Sequence, residues 1–579
     1  MRRRSGSRLK SGAETKAARV WLLVLVAGWI GTACDSGSGG GAESPNAGPS
    51  QSIALSSTEQ SARFLAQATL GANMEEIERV DRLGFPVWID EQIALPWTSH
   101  LDAMNRLQFR YGSPLNNDTN ASPLFRRFAW WDQVMRSPDL LRQRVAMALS
   151  EIFVISERMD LLNLNPAAVA SYYDILLKNA FGSYETLLND VSLHPAMGTY
   201  LSHLNNDRSD ASIGRFPDEN YAREVMQLFS IGLFELNSDG TQRKNGRGEP
   251  IPTYGNTEIM EFAKIFTGLG MQGPAAAFGS VVGDSTLPMI VYEAHHEPGP
   301  KVLLNGFTVP DGQSGMEDIE DALGHLSDHP NVGPFLATRL IQRLVRSNPS
   351  PGYVQRVARV FDDDGSGTRG NLGAVVRAIL LDDEARRDPR DEEDGFLREP
   401  FLRWVSMLRT FDAASTSGEY LVDGSFVGFV IQQHPMASPS VFNFFSPDFA
   451  PNGAIKEAGL VAPEFQITSD DSVIWLANLA TFFLFDNAAQ VASVDDLREG
   501  SIEQEDIAIF LDLSDEEALS QDVDALIDRL DLLLTYGSLS EETRSILETA
   551  LLDPAIAPAV RPRLAIHLIL ISPDYAVVN

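Results

Sequence analysis

The densest run of groups able to do acid–base or anion chemistry lies between Asp218 and Leu236. On a helix Asn220, Glu224 and Gln227 fall on one face, Arg223 stands one turn from Glu219, and Tyr221, Val225, Leu228 and Phe229 make an apolar side. A carboxylate carried among core residues must find a partner, because an unpaired buried charge is costly. One reading is a polar pocket in which Glu224 is a metal ligand or acid/base, with Glu219 beside it and Arg223 positioning an anion. The other is structural: Asp218 caps the helix, Glu219 sits in the favoured first turn, and Arg223 and Glu224 pair with neighbouring helices. The second carries more weight.

His295 and His296, with Glu297 next to them, are the other candidate donors, and with Glu224 they form the ligand set for a divalent metal, the one cofactor considered. Adjacent histidines on a strand point to opposite faces, so one ion is hard for both to reach. His296-Glu297 is followed by Pro298 and has no second histidine at helical spacing, which removes the zinc-protease motif. His194 and His203 read as capping or core histidines.

Asp362 to Thr368 resembles the first half of a calcium loop, but position twelve is Gly373 where a bidentate Glu is needed, so a helix-ending turn is expected. Gly365-x-Gly367-x-x-Gly370 follows a helical stretch instead of a strand and is not a nucleotide fingerprint. Neither a nucleophile elbow nor a phosphate-binding Gly-Lys-Ser/Thr loop occurs. Phe442, Phe444 and Phe445 read as core.

The elements that must hold these residues are helices. Apolar side chains recur at three- and four-residue spacing from Thr58 onward, as in Leu140, Val145, Leu149 and Phe153. Helices are predicted at 123–136, 166–180, 183–193, 218–236, 256–269, 316–328, 331–346, 352–362, 371–383, 399–411, 470–486, 517–534, 540–551 and 560–571. Strand signal is confined to Met289–Tyr292 and Lys301–Leu304, read as a hairpin with the two histidines at its tip. The expected fold is mainly α, a large multi-helix globular unit over 58–579 with at most a small β-hairpin and an acidic insertion at about 487–530.

With 44% apolar residues among 579, the chain can bury a sizeable core. The formal charge is −33, and because residues 1–33 carry a net +6 it becomes −39 without them. Such a field repels phosphate backbones and anionic lipid, so no nucleic-acid partner is expected. A single cysteine, Cys34, excludes an intramolecular disulfide and a cysteine-ligated zinc cluster.

Basic residues from Arg2 to Arg19, an apolar run from Val20 to Ile30 and Gly31-Thr32-Ala33-Cys34 have the parts of a secretory signal peptide spanning 1–33. Its end resembles a lipobox, with Gly31 where Leu is usual. Cleavage before Cys34 would leave that residue to carry the acyl chains of a membrane anchor. Residues 34–57, rich in Gly, Ser, Pro and Ala, suit a flexible tether. The expected location is the cell envelope, facing the periplasm or the exterior. Asp35 resembles the inner-membrane retention signal of enteric bacteria, which leaves open which membrane holds the anchor.

Several segments together resemble the bacterial family known only as domain of unknown function 1800. They include Ala62 to Gly71, Leu141 to Ser150, His194 to Gly198, Pro217 to Phe229, Thr267-Gly268, His329 to Val332, Arg346 to Pro351, Arg398-Glu399-Pro400, Pro439 to Phe445 and Leu568 to Pro573, in family order. The resemblance implies a helical, exported protein without an established activity. It also implies an exported sulfatase-like protein as a partner. Two functions follow as expectations: an envelope-tethered binding or assembly protein, and, as the alternative, an extracytoplasmic metal-assisted hydrolase using Glu219, Glu224, His295 and His296.

Overall fold

Helical periodicity in the sequence becomes helix after helix in the computed structural model, which describes residues 57–112, 122–387, 395–485 and 497–578. The leader, Cys34 and nearly all of the tether lie outside these residues, as does part of the acidic 487–530 stretch. Among the described residues there are 27 α-helices and only four two-stranded sheets, so the fold is mainly α. They belong to one compact unit, Ile53–Asn579.

The centre is the helix Leu140–Ser150, whose residues from Leu141 to Leu149 are all buried. Pro166–Asn179 packs on it and is held by the Tyr172 hydroxyl, which donates to the Phe153 carbonyl at 2.7 Å. Local signals set many boundaries. Pro123 occupies the first turn of Pro123–Arg136, and Ser314 and Glu317 close a capping box on Gly315–Ser327. The last residues of the helical body return to its middle in a short sheet, Phe396–Leu397 against Val577–Val578, reinforced by the Tyr575 hydroxyl on the Arg403 carbonyl at 2.5 Å.

Three local expectations change. The two predicted hairpin strands do not pair with each other: Ile290–Val291 joins Leu269–Gly270, and Lys301–Val302 joins Thr308–Val309. Between them His295 ends a short 3-10 turn, Glu293–His295. The helix expected over 218–236 is Asn220–Gln227. It ends where the Ser230 hydroxyl takes the Val225 carbonyl at 2.5 Å and Gly232 turns left-handed at φ 71. The helix expected over 517–534 is split into Ser514–Ala518 and Val523–Leu530, the second capped by Asp522.

Candidate functional site

Asp218, Glu219, Arg223 and Glu224 divide between the inside and the outside of their helix. Asp218 accepts from the Asn220 N–H at 2.8 Å and from the Ser202 hydroxyl at 3.0 Å, anchoring the helix start. Arg223 meets Glu219 at 3.5 Å on the surface, both side chains close to half exposed. Glu224 turns inward and is only 6% exposed. Neighbouring helical residues point roughly 100° apart, so Arg223 and Glu224 cannot serve one pocket directly. Burial pushes the Glu224 carboxyl above its ordinary range, with Arg223 opposing. Its Oε2 and the Tyr254 hydroxyl are both buried without a hydrogen-bond partner. The Tyr254 phenol is pushed up to about 12, by burial first and then by the Glu224 charge.

The two histidines diverge at the end of the 3-10 turn, where His295 closes the turn and His296 begins extended backbone. His295 Nδ1 lies 3.0 Å from Asp207, which also pairs with Arg215, and its ring stacks on Phe278 at 3.7 Å. His296 is buried, with Nδ1 2.9 Å from the Thr267 carbonyl and Nε2 3.0 Å from Asp318. The buried Lys301 ammonium donates to the same Asp318 carboxylate. This cluster fastens the 293–302 segment to the Gly315–Ser327 helix, a structural task for which paired buried charges suffice. Among the described residues no three His, Cys, Asp or Glu side chains are placed to hold a metal, so Glu224, His295 and His296 are not brought together as a ligand set.

His194 is a cap: its Nδ1 accepts from the Ala196 N–H at 3.1 Å, which leaves Nε2–H to face the Ser171 hydroxyl at 3.1 Å. His203 is buried, stacks on Tyr221 and bonds the Ser192 carbonyl at 2.9 Å. The 362–368 stretch is a turn that ends the helix Pro351–Asp362. Asp363 Oδ1 accepts from Gly365 and Gly367, and Asp364 Oδ1 from Ser366 and Thr368. The Ser366 hydroxyl and the Asn371 amide, with the Ser366 and Thr368 N–H groups, hold the Asp364 carboxyl below its ordinary range.

The feature that sequence reasoning passed over is a surface. The helix Asp470–Phe485 is mostly apolar, with no basic residue and with Asn478 and Thr481 as its polar residues past the first turn. Its inner side, including Leu479, Ala480, Phe483 and Leu484, is buried. Its outer side presents Ile474 (60% exposed), Trp475 (47%), Phe482 and Phe485 at helical spacing. Phe429, 81% exposed, stands on Ser425–Ile431, a helix that packs against this one. A cluster of large apolar side chains exposed on one helix face marks an interaction surface, and among the described residues nothing covers this one. The signal in the sequence was the thin polar stripe in 470–486, where only Asn478 and Thr481 interrupt the apolar run from Val473 to Phe485. Phe444 and Phe445 are core residues packed with Ile467, whereas Phe442 is exposed.

No helix among the described residues is long and apolar enough to cross a membrane. A family model described as protein of unknown function (DUF1800) matches residues 63–577. No curated protein and no solved structure matches.

Proposed function

The chain belongs to the DUF1800 family of proteins of unknown function, and we propose that it is an envelope-anchored binding or assembly protein that docks another exported protein on the outer face of the 470–485 helix. The exposure of Ile474, Trp475, Phe482 and Phe485 along one helix face carries this reading. Large aromatic side chains left in water at the centre of a patch are the type that dominates interface energy once covered.

The partner is a protein and not a bilayer. Helices that lie in a membrane surface carry Lys and Arg on their polar face. This helix has none and begins with Asp470 and Asp471, in a chain of net charge −33. An apolar contact patch with a basic rim is the complement, and the resemblance noted above points to an exported sulfatase-like protein as its bearer. Cys34, acylated after the leader is removed, with the tether behind it, would hold the helical body at the membrane where such a partner passes. The alternative, a metal-assisted hydrolase, needs a ligand set that the described residues do not assemble.

The test is co-purification from solubilised membranes of the host with full-length protein, its Trp475→Asp/Phe482→Asp variant and Cys34→Ala. The double variant is expected to lose a basic, exported partner while keeping its circular dichroism and membrane association, because exposed substitutions change stability by only about 0.5 kcal/mol. Cys34→Ala is expected in the soluble fraction. Unchanged recovery of the partner with the double variant, or no partner with the wild type, contradicts the docking role.

A further inference from the structure

Segments far apart in the chain, several of them carriers of the family resemblance, converge on a buried charged centre. Arg144 is fully buried and donates to the Arg343 carbonyl, and its charge faces Glu151, Glu399 and Glu464. Arg343 lies 3.2 Å from Glu151 Oε2 and over the Phe445 ring at 4.4 Å. The Gln433 amide bridges two carboxyls, donating to Glu399 and, at 3.4 Å, to Glu151. Its carbonyl oxygen is fixed by the Phe401 N–H at 3.1 Å. Three buried carboxyls thus face two buried guanidiniums, and full ionisation would leave an uncompensated charge in the interior.

The balance is struck with protons. Burial above all pushes the Glu151 carboxyl well above its ordinary range. Arg343 opposes this, while the Glu399 charge and a hydrogen bond shared with Glu399 add to it. Burial and the Glu399 charge push Glu464 up to about 8.

Glu151 also opens on a cleft, lined with Ser150, Gln433, Met436, Asn443 and Phe444. Its free volume is about 10 Å³, the space of one water or one oxygen atom and not of a whole substrate. The Ser150 and Ser438 hydroxyls that line it already donate to the Met147 and Ser440 carbonyls. The Asn443 amide does not: its Nδ2 is unpartnered in a side chain only 5% exposed, on backbone held left-handed at φ 65. A buried donor without an acceptor is costly and marks a place for one.

We propose that this cleft is a site for a single carbonyl oxygen, from an ester, amide or peptide ligand seated across its mouth, held by the Asn443 amide. The proton that Glu151 shares with Glu399 keeps Glu151 from repelling the ligand oxygen beside it. A fixed amide N–H aimed at a carbonyl in a water-poor site polarises it, as oxyanion-stabilising donors do.

Infrared spectroscopy of the full chain with carbonyl-¹³C N,N-dimethylacetamide tests it. At pH 7 the wild type is expected to show protonated-carboxyl absorption to which Glu464 contributes, and of which Glu151→Gln removes the Glu151 share; in Glu399→Gln that share titrates away at lower pH. The labelled carbonyl stretch is expected to move to lower frequency with saturation, and Asn443→Gly to weaken binding at least fivefold. Asn443→Gly tolerates the left-handed backbone and leaves Glu151 in place, so it separates a lost donor from a lost fold. The absence of a saturable shift in the wild type, or of any effect of Asn443→Gly, overturns the site.

Discussion

Glu464 shows how a single buried side chain writes itself into the stability of the whole protein. Its carboxyl titrates at about 8 when folded, against an ordinary value of 4.5. The folded state therefore holds a proton that the unfolded chain has already released. Stability from this group is fully present below pH 4.5 and is lost as pH rises through 8. Glu464→Gln cannot lose that proton, so thermal unfolding at pH 5 and pH 8.5 should show the variant gaining on the wild type at the higher pH by on the order of a few kcal/mol. An equal pH dependence in both proteins would mean that the Glu464 carboxyl is not desolvated as described. Residue identity alone hid this group. Glu151, Glu399 and Glu464 are more than sixty positions apart from one another and gain their character only from burial together with Arg144 and Arg343. Glu224, His295 and His296 drew attention because they sit in short, dense motifs, yet a motif fixes spacing along the chain and not convergence in space. His194 was legible because capping is a local affair.

Elements were legible where one helix face alone decided them. Pro123–Arg136, Pro166–Asn179, Asp470–Phe485 and Glu541–Leu551 lie close to their expected bounds, since periodicity and caps are written in consecutive residues. Helix ends set by side-chain competition or by a left-handed glycine were missed, as after Gln227. The strand pairs were missed because each partner is chosen by the packing of helices around it. Gly71 is an instance of such long-range fixing. With φ at +127, any Cβ there would stand 2.6 Å from the Ser406 Cα, on the helix Pro400–Thr410. Gly71→Ala should therefore lower stability by more than about 2 kcal/mol, read as a drop of several degrees in Tm. A change of under about 0.5 kcal/mol would show that the Gly71 connection moves freely away from the helix there.

On the scale of the molecule, composition announced a large acidic helical body, and the described residues form one. Which of its faces would stay uncovered was not readable, because exposure depends on what every other helix does. The 470–485 helix is buried on one side and bare on the other, and this asymmetry is what makes it a docking surface in our account. The most direct measurement is site-specific photo-crosslinking in the native envelope, with the reactive residue at Ile474 and, as a control, at Phe109, another strongly exposed apolar position. The account predicts one exported protein with a basic contact surface captured from position 474, absent from position 109 and lost when Phe482→Asp is added. Capture of nothing from 474, or of the same proteins from both positions, would contradict it.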